Sequence, residues 1–130
     1  MLKEQIQGWN KAYADNKMAY PAEYVIRMFK GNYPKLNLMR EGYAGKSILD
    51  IGCGDGRHLS FFNTMGFERL AGTEISEETV SIAKNNLNEI NIDADIRVGV
   101  NNNLGFGTEE FDFLLSWNVC YYLARRVCGV

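Results

Sequence analysis

The chain is poor in the features that would make it secreted, metal-bound or strongly charged. It has a single histidine, His58, with no Cys or carboxylate partner at ligand spacing, which makes a metal site a poor reading and leaves His58 as a helix-face residue. Cysteine is sparse and odd in number, at 3, and shows no framework spacing, so a disulfide scaffold is excluded and a reducing, cytoplasmic compartment is expected. The net charge of -2 comes with no evident basic face, which argues against a nucleic-acid partner. Arg125-Arg126, the doubled arginine, is too small to change that. No apolar run is long enough to span a membrane, and no secretory h-region, internal repeat or low-complexity tract is visible.

What is present is concentrated in Ile48-Leu49-Asp50-Ile51-Gly52-Cys53-Gly54-Asp55-Gly56. The aliphatic stretch Ser47 to Ile51 reads as a short buried strand bounded by turn residues. Gly52, Gly54 and Gly56 then permit a sharp backbone turn and leave no Cβ between main chain and ligand. A helix opening near Gly56 turns its free N–H groups back toward that loop. Strand, glycine turn and helix form the front half of a nucleotide-binding βαβ unit, which predicts an α/β fold built on a mostly parallel sheet.

The spacing discriminates among nucleotides. A phosphate-gripping P-loop ends in Gly-Lys-Ser/Thr, whereas here Gly56 is followed by Arg57-His58. The dinucleotide fingerprint needs glycine at 57, where Arg57 stands, and this disfavours a nicotinamide oxidoreductase. The pattern present is D-x-G-x-G-x-G, with Asp50 at the strand end. A carboxylate there repels phosphate and favours a cationic or amine-bearing ligand.

Downstream, Arg69 to Thr73 reads as a second strand followed by Glu74, near the distance of roughly 20 residues at which an acidic side chain takes ribose hydroxyls in open α/β sheets. The alternative is that Glu74 only favours the positive end of the next helix. Ser76 is the predicted cap of that helix, with Glu77 and Glu78 in its first turn and Val80, Ala83 and Leu87 as its buried stripe. Asn85, Asn86 and Asn88 weaken its end. Asp95 to Val98 reads as a third strand ending at Gly99, and Phe111 to Ser116 as a fourth, apolar enough to be buried on both faces. Upstream, Ala22 to Lys30 is helix-like, with Pro21 suited to its first turn, Val25, Ile26 and Phe29 as its stripe and Gly31 as its stop.

At these residues the sequence resembles the class I S-adenosylmethionine-dependent methyltransferases. Asp50 to Gly56 matches their first motif and Gly72-Thr73-Glu74-Ile75-Ser76 their second. The resemblance covers about positions 9 to 123 and implies a three-layer Rossmann-like fold that is incomplete in its C-terminal half. It divides the chain into a helical arm or lid (1–45), a cofactor-binding core (46–123) and an irregular tail (124–130). It implies S-adenosyl-L-methionine as cofactor and a small-molecule methyl acceptor, the alternative being a truncated module that binds the cofactor without turnover. Asp50 and the Gly52 carbonyl are expected to hold the methionine amino end, with Cys53, Gly54 and Gly56 in the loop, and Glu74 with Ile75 at the ribose.

The family's adenine-contacting Asp is absent. Val100 holds its place and Asn101 stands beside it, either offering an amide to the adenine edge or serving as loop material. Ser116, Trp117 and Asn118 fall near the expected methyl-transfer site, although Trp117, Tyr121 and Tyr122 also suit packing of a helix on the sheet. Trp9, Tyr13 and Tyr20 are lid candidates or aromatic core. A fourth strand left as an apolar edge predicts self-association into a homo-oligomer.

Overall fold

A computed structural model of the chain describes residues 3, 4, 7, 20–30, 42–100 and 103–117. The elements are α1 (Glu23–Lys30), β1 (Ser47–Ile51), α2 (Arg57–Thr64), β2 (Arg69–Glu74), α3 (Glu77–Glu89), β3 (Asp95–Val98) and β4 (Phe113–Ser116). All three strand pairings are parallel, and the order across the sheet is β3-β2-β1-β4. The chain therefore lays strands outward from β1 to β3 and then returns to β1's other side. That reversal places a topological switch point at the carboxyl ends of β1 and β4, the position whose crevice binds ligands in open α/β sheets.

Register decides which face each residue serves. Ile48 aligns with Leu70 and Phe113, and Asp50 with Gly72 and Leu115, so these share one face. That face is the one packed by helices: Ile48, Leu70 and Leu115 join Leu59 and Phe62 of α2 and Val80, Ala83 and Leu87 of α3 in one core. Phe29 of α1 enters the same core through edge-on rings at Phe62 (4.8 Å between centroids) and Phe113 (6.1 Å). Tyr43 stacks on Phe67 at 4.7 Å and gives its hydroxyl proton to the Phe29 carbonyl at 2.8 Å. Such ring pairs contribute about 0.5–1.5 kcal/mol each beyond the area they bury. The arm helix is thus packed into the same core as the sheet.

The opposite face buries Leu49 and Ala71 in its centre and turns ionic toward the β3 side. Arg69 pairs with Glu110 at 3.2 Å and Arg97 with Asp95 at 2.8 Å. Their guanidinium groups lie over Phe111 (4.6 Å) and Phe106 (4.1 Å).

The local signals act as anticipated for α3. Ser76 Oγ accepts the Thr79 N–H at 3.3 Å while Thr79 Oγ1 accepts the Ser76 N–H at 3.2 Å, a reciprocal cap worth about 1 kcal/mol. Three predictions need correction. β4 begins at Phe113 rather than Phe111, because Phe111 packs beneath Arg69 and Asp112 turns to Ser47. It is also not buried on both faces, since Leu114 is 62% exposed while Leu115 on the helix side is buried. In α1, Ile26 is only half-buried beside the buried Val25 and Phe29. Trp9, Tyr13, Gly31, Asn101, Asn118, Tyr121, Tyr122 and the tail 124–130 lie outside the described residues. Among the described residues, no helix is long and apolar enough to cross a membrane.

Candidate functional site

β1 ends under the crevice, and the glycine loop leaves it directly. Gly52 and Gly54 sit at φ 70° and 59°, a left-handed backbone that a side chain would strain. The loop is laced to β2: Cys53 N–H donates to the Thr73 carbonyl at 3.0 Å, Gly52 N–H to Thr73 Oγ1 at 3.4 Å, and Gly54 N–H to Glu74 Oε1 at 2.8 Å. Glu74 is buried, and its other oxygen accepts the Ile75 N–H at 3.1 Å. The second acidic residue therefore braces the loop from the end of the neighbouring strand.

Gly56 also has a packing role. It caps α2 at φ 89°, and a Cβ on it would meet the Leu87 side chain at 3.1 Å, so it permits close packing of α2 on α3. The Cys53 side chain is buried in the core, and burial pushes its thiol well above the usual range. Gly72 makes room for it, since a Cβ there would stand 2.8 Å from Cys53 Sγ.

Asp50 is the electrostatic centre of the site. It is 1% exposed, and its Oδ2 has no hydrogen-bond partner among the described residues. Burial, reinforced by the negative charge of Glu74, raises its pKa well above the carboxylate range. An isolated buried carboxylate is costly, and a cation placed against it removes that cost. This unpartnered acceptor thus fits an ammonium group and opposes a phosphate.

His58 lies in the first turn of α2, as expected, and the face it occupies is buried. Its Nε2 accepts the Ala22 N–H at 3.1 Å, and its Nδ1 faces Asp50 Oδ2 at 4.0 Å. Burial and the adjacent Arg57 charge lower its pKa to about 4. Arg57 donates to the Tyr20 carbonyl at 3.1 Å, so consecutive residues of α2 hold the chain just before α1. Tyr20 contributes that carbonyl while its side chain is exposed. Asp55 supplies Oδ1 to the Arg57 N–H at 3.2 Å, and its carbonyl accepts the Asn86 amide at 3.0 Å. Apart from the Asp55–Arg57 contact, which is two positions apart, these contacts had no local sequence signal and join positions that only the fold brings together.

Ser116 aligns with Ile51 at the crevice, and Trp117 follows, half-buried, with its ring 6.5 Å from His58 and 6.3 Å from Tyr24. Val100 is exposed and bridges to Asn103 beyond β3, away from Asp50 in register. Among the described residues no group of His, Cys, Asp and Glu is arranged to hold a metal ion.

Comparison with known proteins agrees with this geometry. A family model described as a methyltransferase domain matches residues 48–128. A ubiquinone biosynthesis O-methyltransferase of Ruegeria pomeroyi is 26% identical over 102 residues, which make up 78% of this chain and 41% of that protein. The chain therefore spans less than half the length of this relative. Among solved structures, a putative S-adenosylmethionine-dependent methyltransferase of Methanococcus maripaludis superposes with a TM-score of 0.64 at 18% identity, over 92% of this chain and 52% of its own. One from Aquifex aeolicus, described as a SAM-dependent methyltransferase, gives 0.53 at 20% identity, over 73% of this chain and 51% of its own. At such identities the likeness is one of fold, and it extends to the α/β, Rossmann-like parallel sheet described above.

Proposed function

The chain belongs to the methyltransferase domain family, and from that premise we propose that it binds S-adenosylmethionine in the crevice and serves transfer of its methyl group to a small-molecule acceptor. The observation that carries this reading is the buried, unpartnered Asp50 oxygen at the exit of β1. A sulfonium cofactor bearing an α-ammonium group matches that need, whereas a dinucleotide pyrophosphate does not.

The residues divide the work by position. Asp50, with the Gly52 carbonyl, takes the ammonium end, and Glu74 accepts from the ribose hydroxyls with the lone pairs its two N–H donors leave over. Ser116 and Trp117 border the methionine arm, and the segment at Val100 and Asn101 borders the adenine. When bound, the cofactor supplies a methyl group on a sulfonium, open to in-line displacement. The chain's own contribution is orientation and exclusion of water, because a dry site favours the loss of separated charge that the transfer entails. The net charge of -2 and the absence of an evident basic face support a small acceptor over nucleic acid.

Titration calorimetry with S-adenosylmethionine and S-adenosylhomocysteine, paired with a methyl-release assay over candidate acceptors, tests the reading. Glu74→Ala is expected to weaken both ligands by about tenfold or more, the worth of charge-assisted hydrogen bonds. Absence of binding by the parent chain overturns the proposal. Binding without turnover supports instead a module that holds the cofactor.

A further inference from the structure

Resting on the reading just given, we infer that His58 is a positioning residue for Asp50, aiming its carboxylate at the cofactor's ammonium group. The geometry sets the protons of the ring. A backbone N–H can only donate, so the 3.1 Å contact from Ala22 requires Nε2 to be the bare nitrogen. A neutral imidazole then carries its proton on Nδ1, the atom that faces Asp50 Oδ2 at 4.0 Å. Burial and the neighbouring Arg57 charge keep the ring neutral.

The 4.0 Å separation is beyond hydrogen-bond reach, so Oδ2 is left without a partner and the donor is poised rather than engaged. Closing the gap takes a shift of about 1 Å, and Oδ2 has lone pairs enough for both Nδ1–H and a ligand ammonium. His58 thereby connects two places: the backbone at Ala22, which leads into α1, and the carboxylate at the end of β1. Packing alone accounts for the ring's contact with Trp117, but not for a donor facing an orphaned buried oxygen.

Two substitutions separate the halves of the ring. His58→Asn places an amide N–H near the position of Nδ1 and gives up the acceptor for Ala22; His58→Gln reaches Ala22 with an amide oxygen and gives up the donor to Asp50. Binding of S-adenosylhomocysteine and of 5′-methylthioadenosine, which lacks the amino-acid arm, is measured by calorimetry for the full chain and both variants. His58→Gln is expected to lose about tenfold on S-adenosylhomocysteine and less than about twofold on methylthioadenosine, while His58→Asn stays within about threefold on both.

Equal losses for the two variants, or for the two ligands, overturn the inference and leave the proposed function standing. Failure of the unmodified chain to bind either ligand removes both. Because His58 is the only histidine in the chain, nitrogen NMR of the unmodified protein gives a test that no folding defect can obscure. The expected signal is an Nδ1–H tautomer whose proton shifts with S-adenosylhomocysteine and not with methylthioadenosine. An Nε2–H tautomer, or a proton that responds alike to both ligands, contradicts the assignment.

Discussion

β1 meets a carboxylate at each of its ends, and the two are treated in opposite ways. At its start, exposed Asp112 accepts the Ser47 N–H at 2.9 Å and the Ser47 hydroxyl at 3.1 Å, which together hold its pKa below the usual carboxylate value. At its finish, Asp50 is buried, lacks a partner at Oδ2 and is pushed the other way. Solvent and a serine satisfy the first, so it ties the approach to β4 onto the start of β1. The second is left unsatisfied where the crevice opens. A charge that the fold pairs serves the structure, whereas a buried charge short of partners is where the proposed ammonium ligand would be met.

Substitution at Asp50 tests that contrast most severely. Asp50→Asn is expected to weaken S-adenosylhomocysteine about a hundredfold, the scale of removing one member of a buried charged pair, while the melting temperature of the ligand-free chain stays level or rises. A drop in both would make Asp50 structural like Asp112 and end the distinction.

The pH dependence sharpens the same point. With its folded pKa raised, Asp50 contributes stability below its unfolded pKa that is lost as pH rises through the folded one. Ligand affinity runs the other way and falls with acid, because proton and ammonium compete for one carboxylate. The groups around Asp50 are Glu74, Asp55, Arg57, His58 and Cys53. His58, lowered to about 4, loses its stabilising share as pH drops from 6.5 toward that value. Calorimetry across pH should show Asp50→Asn flat where the parent slopes.

A smaller effect is expected from the packing that supports the loop. Gly72→Ala forces a methyl against Cys53 Sγ and should cost about 1–3 kcal/mol of stability. Cys53→Ala in the same chain should return part of it, and denaturant melts of the single and double variants measure the coupling. The smallest effect belongs to the exposed ionic face. Arg69→Ala removes the pairing with Glu110 and the contact over Phe111, and should change stability by about 1 kcal/mol with ligand binding untouched. A binding defect there would spread the functional region beyond the crevice.

Much of the scaffold was legible from residue order. Ser47–Ile51 and Asp95–Val98 have the bounds their aliphatic patterns predict, and Ser76 caps α3 as its type and position suggest. These are short-range properties, carried by neighbours within a few positions. Asp50 and Glu74, the carboxylates proposed for the site, also stood out in the sequence, because a glycine turn after a strand announces itself. What escaped were pairings across distance. His58 finds Ala22 36 positions away, Asn86 finds Asp55 31 positions away, and the need for glycine at 72 comes from a cysteine in another element. The start of β4 shifted for the same reason, since Phe111 follows its pull toward Arg69 rather than the apolar run it belongs to.

The lacing of the loop onto β2 has a thermodynamic consequence. With the N–H groups of Gly52, Cys53 and Gly54 already bonded to Thr73 and Glu74, the loop has given up its conformational freedom during folding. A ligand arriving there meets a finished cradle and forfeits little of its binding free energy to ordering that segment. The loop should therefore hold its shape between empty and loaded states, acting as a mould rather than a clamp.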